Sequence, residues 1–171
     1  GPLCKGKQSP WCSNYASIMD GLSELIELPP AAVVLKIDSP GGMVDGLTAV
    51  VEAVNQLAEK TLVVASIVGG GLSAAYRIAS QAGSIWASSD SEIGSIGTYW
   101  QMLDVSKAYA DAGIKSVLLT TGPYKGVGAA GEEITADQQA FLQSKVNEWN
   151  ARFLADVASG RNMSEESVAA V

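Results

Sequence analysis

Residues 67–83 read IVGGGLSAAYRIASQAG, and this stretch decides the fold of the chain. It begins within an apolar, β-branched run at 61–68, which predicts a buried strand. Three glycines then predict a tight turn, because glycine adopts backbone conformations closed to other residues. Ser73 opens the helical pattern that follows, so its hydroxyl would be exposed at the positive end of a helix dipole. An N-cap is the other interpretation, since serine is a preferred residue there.

The composition restricts the chemistry and the partners. The 171 residues are 47% hydrophobic and carry a net charge of -7, which favours one compact domain and argues against a nucleic-acid partner. The absence of histidine excludes a Ser-His-Asp triad and the usual histidine zinc sites, so no metal is expected. Cys4 and Cys12 could bridge, but their spacing does not decide it. No apolar run is long enough for a membrane segment.

Helical and strand patterns alternate along the chain, which predicts an α/β domain with a largely parallel sheet. The predicted helices are 14–27, 44–60, the segment after Ser73, 104–113, a long helix from a capping box at 135–138 to about Gly160, and a last piece capped by Ser164. The predicted strands are 31–37, 61–68, 84–88, one through Trp100 and Met102, and 116–121. We expect a loose segment at 1–13 and a single domain at 14–171, cut short at its C-terminal end because the last helical pattern reaches Val171.

Glycine-rich loops follow three of the predicted strands, and ligands of such sheets bind beyond the carboxyl ends of the strands. The loop at 38–42 offers backbone N–H groups at Gly41 and Gly42, one half of an oxyanion hole. The other half would be the N–H of Ala74 or of Ser73 itself. An ordinary tight turn is the alternative interpretation of this loop.

A serine hydroxyl is unreactive near neutral pH unless a base takes its proton, and without histidine that base can be a lysine. Lys125 lies in a third loop, 122–131, among glycines and alanines, with no acidic neighbour before Glu132. Burial there would favour the neutral amine. Lys36, inside a predicted strand, is a weaker candidate for the base. For any of these lysines, the alternative to a catalytic role is an ordinary charged side chain in solvent.

Four blocks of the sequence together resemble the signatures of one peptidase family. They are IDSPGG at 37–42, LSAAYRIAS at 72–80, GSIG at 94–97 and GPYKG at 122–126. That family contains signal peptide peptidase A and the capsid-assembly (head maturation) proteases of tailed phages. The resemblance implies an α/β fold like that of Clp protease and crotonase, with a mostly parallel sheet and flanking helices.

The resemblance also implies a serine endopeptidase that works through an acyl-enzyme with a Ser-Lys dyad and needs no cofactor. It assigns Ser73 as nucleophile, Lys125 as general base and Ser95 as the residue that orients the lysine amine. By the same resemblance, the oxyanion hole would consist of Gly41, Gly42 and Ala74.

The same family suggests an extended peptide or protein as substrate and a homo-oligomeric ring. The SAAY that begins at Ser73 is more like the phage-type enzymes, which would act in the cytoplasm of a bacterial host. Three alternatives remain open: a signal-peptide peptidase of the cell envelope, a crotonase-like acyl-CoA enzyme, and a catalytically silent scaffold of the same fold.

Overall fold

The computed structural model describes residues 1–5 and 12–170. The chain divides into two compact units, Gly1–Gly97 with Asn150–Val171, and Thr98–Trp149. In chain order the elements are β1 (Leu3–Cys4), β2 (Ser13–Asn14), α1 (Tyr15–Glu27), β3 (Ala32–Ser39), α2 (Leu47–Ala58), β4 (Leu62–Leu72), α3 (Ala74–Ala79), β5 (Ser84–Ala87), β6 (Glu92–Gly94), α4 (Ser106–Asp111), α5 (Ala136–Arg161) and α6 (Glu165–Ala169).

The main sheet of the first unit is parallel throughout, which confirms the predicted α/β class. Strand β4 is its centre: it pairs with β3, with β5, and through its last residues with β6. Parallel strands present their carboxyl ends at one edge of a sheet, so Ser39, Leu72 and Gly94 end at the same edge. This edge is where a ligand site of such a sheet is expected.

The three glycines predicted as a tight turn belong instead to strand β4, so that prediction is wrong. The register moves from Ile37–Ile67 to Ser39–Gly71, so β4 advances four residues (67 to 71) while β3 advances two (37 to 39). This is a bulge, and glycine suits it because a Cβ at Gly69, whose φ is +96°, would lie 2.6 Å from Asp38 Oδ1. The turn comes later, at Ser73.

The core of the first unit lies between the sheet and helices α1, α2 and α3. The predicted apolar stripe of α2 is confirmed, since its members are buried: Leu47, Val50, Val51, Val54 and Leu57. Burying each such side chain contributes roughly 1.5–3 kcal/mol. A second cluster joins Phe153 and Val157 of α5 to Val168 of α6, with Tyr76 of α3 packed against it. Helix α3 is therefore packed from both sides, which fixes the residue that precedes it.

The N-terminal residues make specific contacts. Strand β1 pairs in parallel with β2, and Leu3 is buried in the main core. Cys4 and Cys12 form a disulfide with their Cα atoms 6.2 Å apart. The sequence predicts a loose segment at 1–13, but its described residues are held by these contacts. Residues 6–11 lie outside the described residues. A single peptidase domain at 14–171 stays a prediction.

The second unit contains α4 and, up to Trp149, the first part of α5. The strands predicted through Trp100 and Met102 and at 116–121 are not formed there, so these predictions are wrong. A strand needs a hydrogen-bonded neighbour, and among the described residues of this unit none is paired with these segments. The capping box is confirmed: Thr135 N–H donates to Gln138 Oε1 at 3.1 Å, and Gln138 N–H donates to Thr135 Oγ1 at 3.3 Å.

Two further helix ends are explained by their residue types. Gly113, with φ +72°, lies directly after the C-cap of α4, where a left-handed residue ends a helix. Ser164 caps α6 by accepting the N–H of Ser167. Among the residues that the structure describes, no helix combines the length and the apolar character needed to cross a membrane.

Candidate active site

Ser73 occupies a sharp bend between β4 and α3. Its backbone has φ 51° and ψ -122°, a combination that few residues other than glycine adopt. Such strain persists only where the surroundings enforce it, and it clusters at functional sites. Serine nucleophiles of α/β enzymes occur in this kind of strand-to-helix bend, which exposes the side-chain oxygen.

The side chain of Ser73 forms no capping hydrogen bond, although the residue holds the N-cap position of α3. The backbone is anchored on both sides instead: its N–H donates to Gly94 O at 2.8 Å, and its carbonyl accepts from Arg77 N–H at 3.0 Å. An N-cap serine gains its stability from the bond that is absent here. The N-cap interpretation therefore does not explain this serine.

The glycine loop after β3 lies directly against Ser73. A Cβ built on Gly41, whose φ is +108°, would lie 2.7 Å from Ser73 Cβ and 3.2 Å from Ser73 Oγ. Any side chain at Gly41 would therefore displace the candidate nucleophile. Two of the loops that the sequence singled out thus meet at the carboxyl edge of the sheet.

Backbone donors beside Ser73 differ in availability. Gly41 N–H donates to Ser39 Oγ at 3.2 Å, and the N–H of Ser73 is taken by Gly94. Gly42 N–H has no hydrogen-bond partner among the described residues. Ala74 is the first residue of α3, and the first N–H groups of a helix have no partner within the helix. Gly42 and Ala74 are therefore the free donors, and Ser73 is excluded as its own donor.

Ser95 is brought to this site through the backbone. It follows Gly94, whose carbonyl accepts the N–H of Ser73, and it has a positive φ of 52°. Its side chain is exposed. The structure thus collects Ser73, Ser95 and the glycine loop in the first unit.

Lys125 belongs to the second unit, where its loop is attached to the start of α5. The Tyr124 ring stacks on Phe141 with centroids 4.3 Å apart, and the Tyr124 hydroxyl donates to Asp137 Oδ2 at 3.0 Å. Gln138 donates to the carbonyl of Pro123 at 3.0 Å. The lysine side chain is exposed in the single chain, so the burial suggested by the sequence is not found within it. Its pairing with Ser73 stays a prediction.

A largely buried ion pair joins α3 to α5. Arg77 Nε donates to Asp156 Oδ2 of α5 at 2.7 Å, and the guanidinium lies over the ring of Phe153. The pair is asymmetric, since the Arg77 side chain is 3% exposed and that of Asp156 is 32% exposed. Nothing in the local sequence signals this pair, because its partners are 79 residues apart. It anchors the helix that begins at Ser73.

Three titratable groups are perturbed by their surroundings. Burial raises the pKa of the Tyr15 phenol far above its usual value, against the opposing effect of the Arg77 charge. Hydrogen bonds from Ser106 and from the Ile134 backbone lower the pKa of Asp104. The hydrogen bond to Asp137 raises the pKa of Tyr124. The described residues contain no group of three His, Cys, Asp or Glu side chains arranged to hold a metal ion.

The uncapped Ser73 has a strained strand-to-helix backbone of the kind in which α/β enzymes present a serine nucleophile. Comparison with known families is more specific. Residues 55–171 match peptidase family S49, and the chain belongs to that family.

Relatives support the same assignment. The chain is 30% identical over 152 residues to "Putative protease slr0021" of Synechocystis sp., a match that covers 89% of this chain and 55% of that protein. It is 28% identical to head-tail preconnector protein GP5 of Enterobacteria phage P21, over 80% of this chain and 27% of that protein. It is also 28% identical to protease 4 of Salmonella typhi, over 80% of this chain and 22% of that protein. The chain spans about half the length of the first of these relatives and less of the others.

Proposed function

We propose that this chain is a serine endopeptidase that cleaves peptide bonds through an acyl-enzyme on Ser73, with Lys125 as the general base. The observation that carries the proposal is the conformation of Ser73. Its backbone is strained, with φ 51° and ψ -122°, its side chain makes no capping hydrogen bond, and it packs against Gly41. Membership of a peptidase family supports it, because that bend lies inside the matched residues 55–171.

In the proposed reaction the neutral amine of Lys125 takes the proton of the Ser73 hydroxyl. The oxygen then attacks the carbonyl of the scissile peptide. Backbone N–H groups of Gly42 and Ala74 stabilise the oxyanion, and that of Gly41 could join them if it leaves Ser39 Oγ. Lys125 next protonates the leaving amine, and water hydrolyses the ester. Ser95 orients the lysine amine.

We propose an extended peptide segment with small or apolar residues as substrate. An extended chain exposes its backbone amides to a loop such as 41–43, and recognition through backbone hydrogen bonds needs no particular side chain. The biological substrate would be a scaffold or head protein of a phage. Processing in the cytoplasm of a bacterial host would require the Cys4–Cys12 disulfide to persist in a compartment that keeps thiols reduced. The match to a phage head-tail preconnector protein supports this role. The match to protease 4 keeps a cell-envelope signal-peptide peptidase as the alternative.

The proposal includes a homo-oligomeric ring. Apolar side chains of the second unit support it, because several are largely exposed in the single chain: Tyr99, Leu103, Val117 and Leu119. Monomeric proteins rarely expose large contiguous apolar patches. A neighbouring copy would cover such residues.

Hydrolysis of internally quenched extended peptides tests the function. Ser73→Ala and Lys125→Ala should each abolish turnover, whereas the exposed Ser23→Ala and Lys115→Ala serve as matched controls and should retain it. Only a neutral amine can act as base, so the wild-type rate should rise with pH. Activity that survives Ser73→Ala and requires coenzyme A would instead indicate the crotonase-like alternative. No turnover by any form would favour the silent scaffold.

A further inference from the structure

We propose that the disulfide between Cys4 and Cys12 positions the oxyanion hole by holding strand β1 against the glycine loop 41–43. This inference rests on the proposed function, because it concerns the same backbone donors. It adds an element that none of the four family-like sequence blocks contains, since both cysteines precede them.

Strand β1 binds the glycine loop through its backbone. Leu3 N–H donates to Gly41 O at 2.8 Å, and Met43 N–H donates to Leu3 O at 3.0 Å. The two backbones are so close that a Cβ on Gly42 would overlap the carbonyl of Leu3. The glycine loop thus pairs with β1 along one side of the strand, and β2 pairs with it along the other side.

The bond to Leu3 determines where the Gly42 N–H points. In a trans peptide the C=O and N–H groups lie in one plane and point in opposite directions. Because Leu3 fixes the carbonyl of Gly41, the N–H of Gly42 points away from β1. If this peptide flipped, an acceptor would replace the donor, and the oxyanion would meet a carbonyl instead of an N–H.

Little else prevents that flip. Glycine on both sides of the peptide makes its rotation sterically easy, and φ at Gly41 is +108°. The Ser39 hydroxyl is a second and longer contact of the Gly41 carbonyl, at 3.3 Å. Tyr15 holds only the next carbonyl, that of Met43, at 2.8 Å. The Leu3 N–H is therefore the strongest restraint on the Gly41–Gly42 peptide.

Leu3 is buried in the main core and the terminal amine of Gly1 donates to Asp38 O at 2.8 Å, but strand β1 is otherwise weakly held. It has two residues, paired with the two of β2 and supported by the bond from Ser13 N–H to Pro2 O at 2.8 Å. The residue after β1, Lys5, forms an ion pair with Asp45 that is exposed and contributes little. The disulfide next to Leu3 supplies the covalent link between β1 and the residue before β2. Cutting that link should release β1 and free the peptide.

Reduction is the direct perturbation. A dithiol such as dithiothreitol attacks one sulfur of the disulfide and forms a mixed disulfide. Its second thiol then displaces the other cysteine, so the protein gains two thiols and the reagent becomes a cyclic disulfide. A fluorophosphonate reports the consequence, because its phosphoryl oxygen occupies the oxyanion hole when Ser73 attacks phosphorus and expels fluoride.

The experiment measures the rate of fluorophosphonate labelling by intact mass, on oxidised protein and on protein reduced and then freed of reductant without air. Loss of one oxyanion donor slows such reactions by about 100–1,000-fold, so a peptide that is flipped about 90–99% of the time should slow labelling by about 10–100-fold. The Cys4→Ser/Cys12→Ser variant should match the reduced protein and be insensitive to dithiol. Thermal unfolding verifies that each form is folded.

A second pair of variants separates the backbone bond from simple destabilisation. Leu3→Ala and Leu3→Pro both remove the buried side chain, but only proline lacks the N–H that binds Gly41. Leu3→Ala shows how much labelling is lost when only the buried side chain is removed, and Leu3→Pro should label more slowly than Leu3→Ala even when oxidised. Equal labelling of oxidised, reduced and double-serine protein would overturn the inference and leave the peptidase intact. Absence of labelling in the oxidised wild type would overturn the proposed function itself.

Discussion

Substitution of Gly41 by alanine tests the contact on which the site is built. The change has two costs. A side chain at φ +108° costs about 1–3 kcal/mol of backbone strain. Its Cβ would also lie 2.7 Å from Ser73 Cβ and 3.0 Å from the Leu72 carbonyl. Relieving such crowding costs typically about 1–3 kcal/mol, so the free energy of unfolding should fall by about 2–6 kcal/mol in total.

Two other glycines provide matched controls. Gly94 has nearly the same φ, +109°, but nothing lies within 4 Å of a Cβ there, so Gly94→Ala should cost only the strain, about 1–3 kcal/mol. Gly21 lies inside α1 with open space around it, and Gly21→Ala should stabilise by about 0.5–1 kcal/mol.

Urea unfolding followed by tryptophan fluorescence measures all three variants. With a slope of about 2 kcal/mol per molar urea, Gly41→Ala should lower the midpoint by about 1–3 M. It should also abolish fluorophosphonate labelling, whereas Gly21→Ala should leave labelling unchanged. A midpoint for Gly41→Ala equal to that of Gly94→Ala would show that Gly41 does not contact Ser73, and the geometry of the site would then be wrong.

Three further substitutions test the surroundings. Gly160→Ala should destabilise the protein although it lies in a helix, because its Cβ would collide with the Ser80 carbonyl; a gain in urea midpoint would contradict that packing. Asp156→Asn leaves the Arg77 guanidinium buried without its counter-ion and should lower the free energy of unfolding by about 2–4 kcal/mol. The loss is smaller than for a fully buried pair because Asp156 is partly exposed. An unchanged unfolding midpoint would refute the ion pair. The pKa of Asp104 is lowered in the folded state, so its carboxylate stabilises the fold at pH values above its pKa in the unfolded chain, and this contribution is lost as the pH falls. Asp104→Asn should therefore flatten the acid limb of a profile of stability against pH. An unaltered acid limb would argue against the hydrogen bonds of Asp104.

The parts of the fold that the sequence predicted well depend on local signals. The stripe of α2 repeats at the helical period, and the capping box at Thr135 and the N-cap Ser164 satisfy N–H groups a few residues away. The serine of the bend was found for the same reason, because strand, glycines and helix follow one another within the 17 residues 67–83. Each of these features is read from neighbours along the chain.

The parts that were missed depend on distant partners. The three glycines were predicted as a turn, but their pairing with β3 and β6 extends the strand. The apolar run at 116–121 looks like a strand, yet its described surroundings in the second unit offer no strand to pair with. The restraint of Leu3 on Gly41 joins residues 38 positions apart (41 minus 3), and nothing in the local sequence signals it.

The candidate site divides in the same way. Residue types and order made Ser73 a candidate, and the resemblance of four sequence blocks to one peptidase family assigned it as the nucleophile. The strained backbone, the uncapped side chain and the approach of Gly41 support that choice. The sequence did not indicate which backbone donors are free, because this depends on the partners of Ser39 and Gly94. Burial of Lys125 was inferred from its small neighbours, and the single chain leaves the side chain exposed.

Covalent labelling of Ser73 is the most direct test of the proposed dyad. Wild-type protein, Ser73→Ala, Lys125→Ala and the control Lys115→Ala are incubated with a fluorophosphonate at neutral and alkaline pH, and the adduct is counted by intact mass and located by peptide mapping. One adduct on Ser73 of the wild type and of Lys115→Ala, faster at alkaline pH and absent from the other two variants, is the predicted result. Labelling of Ser73 that is equally fast in Lys125→Ala would contradict the dyad, and an adduct on another residue would contradict the assignment of the nucleophile.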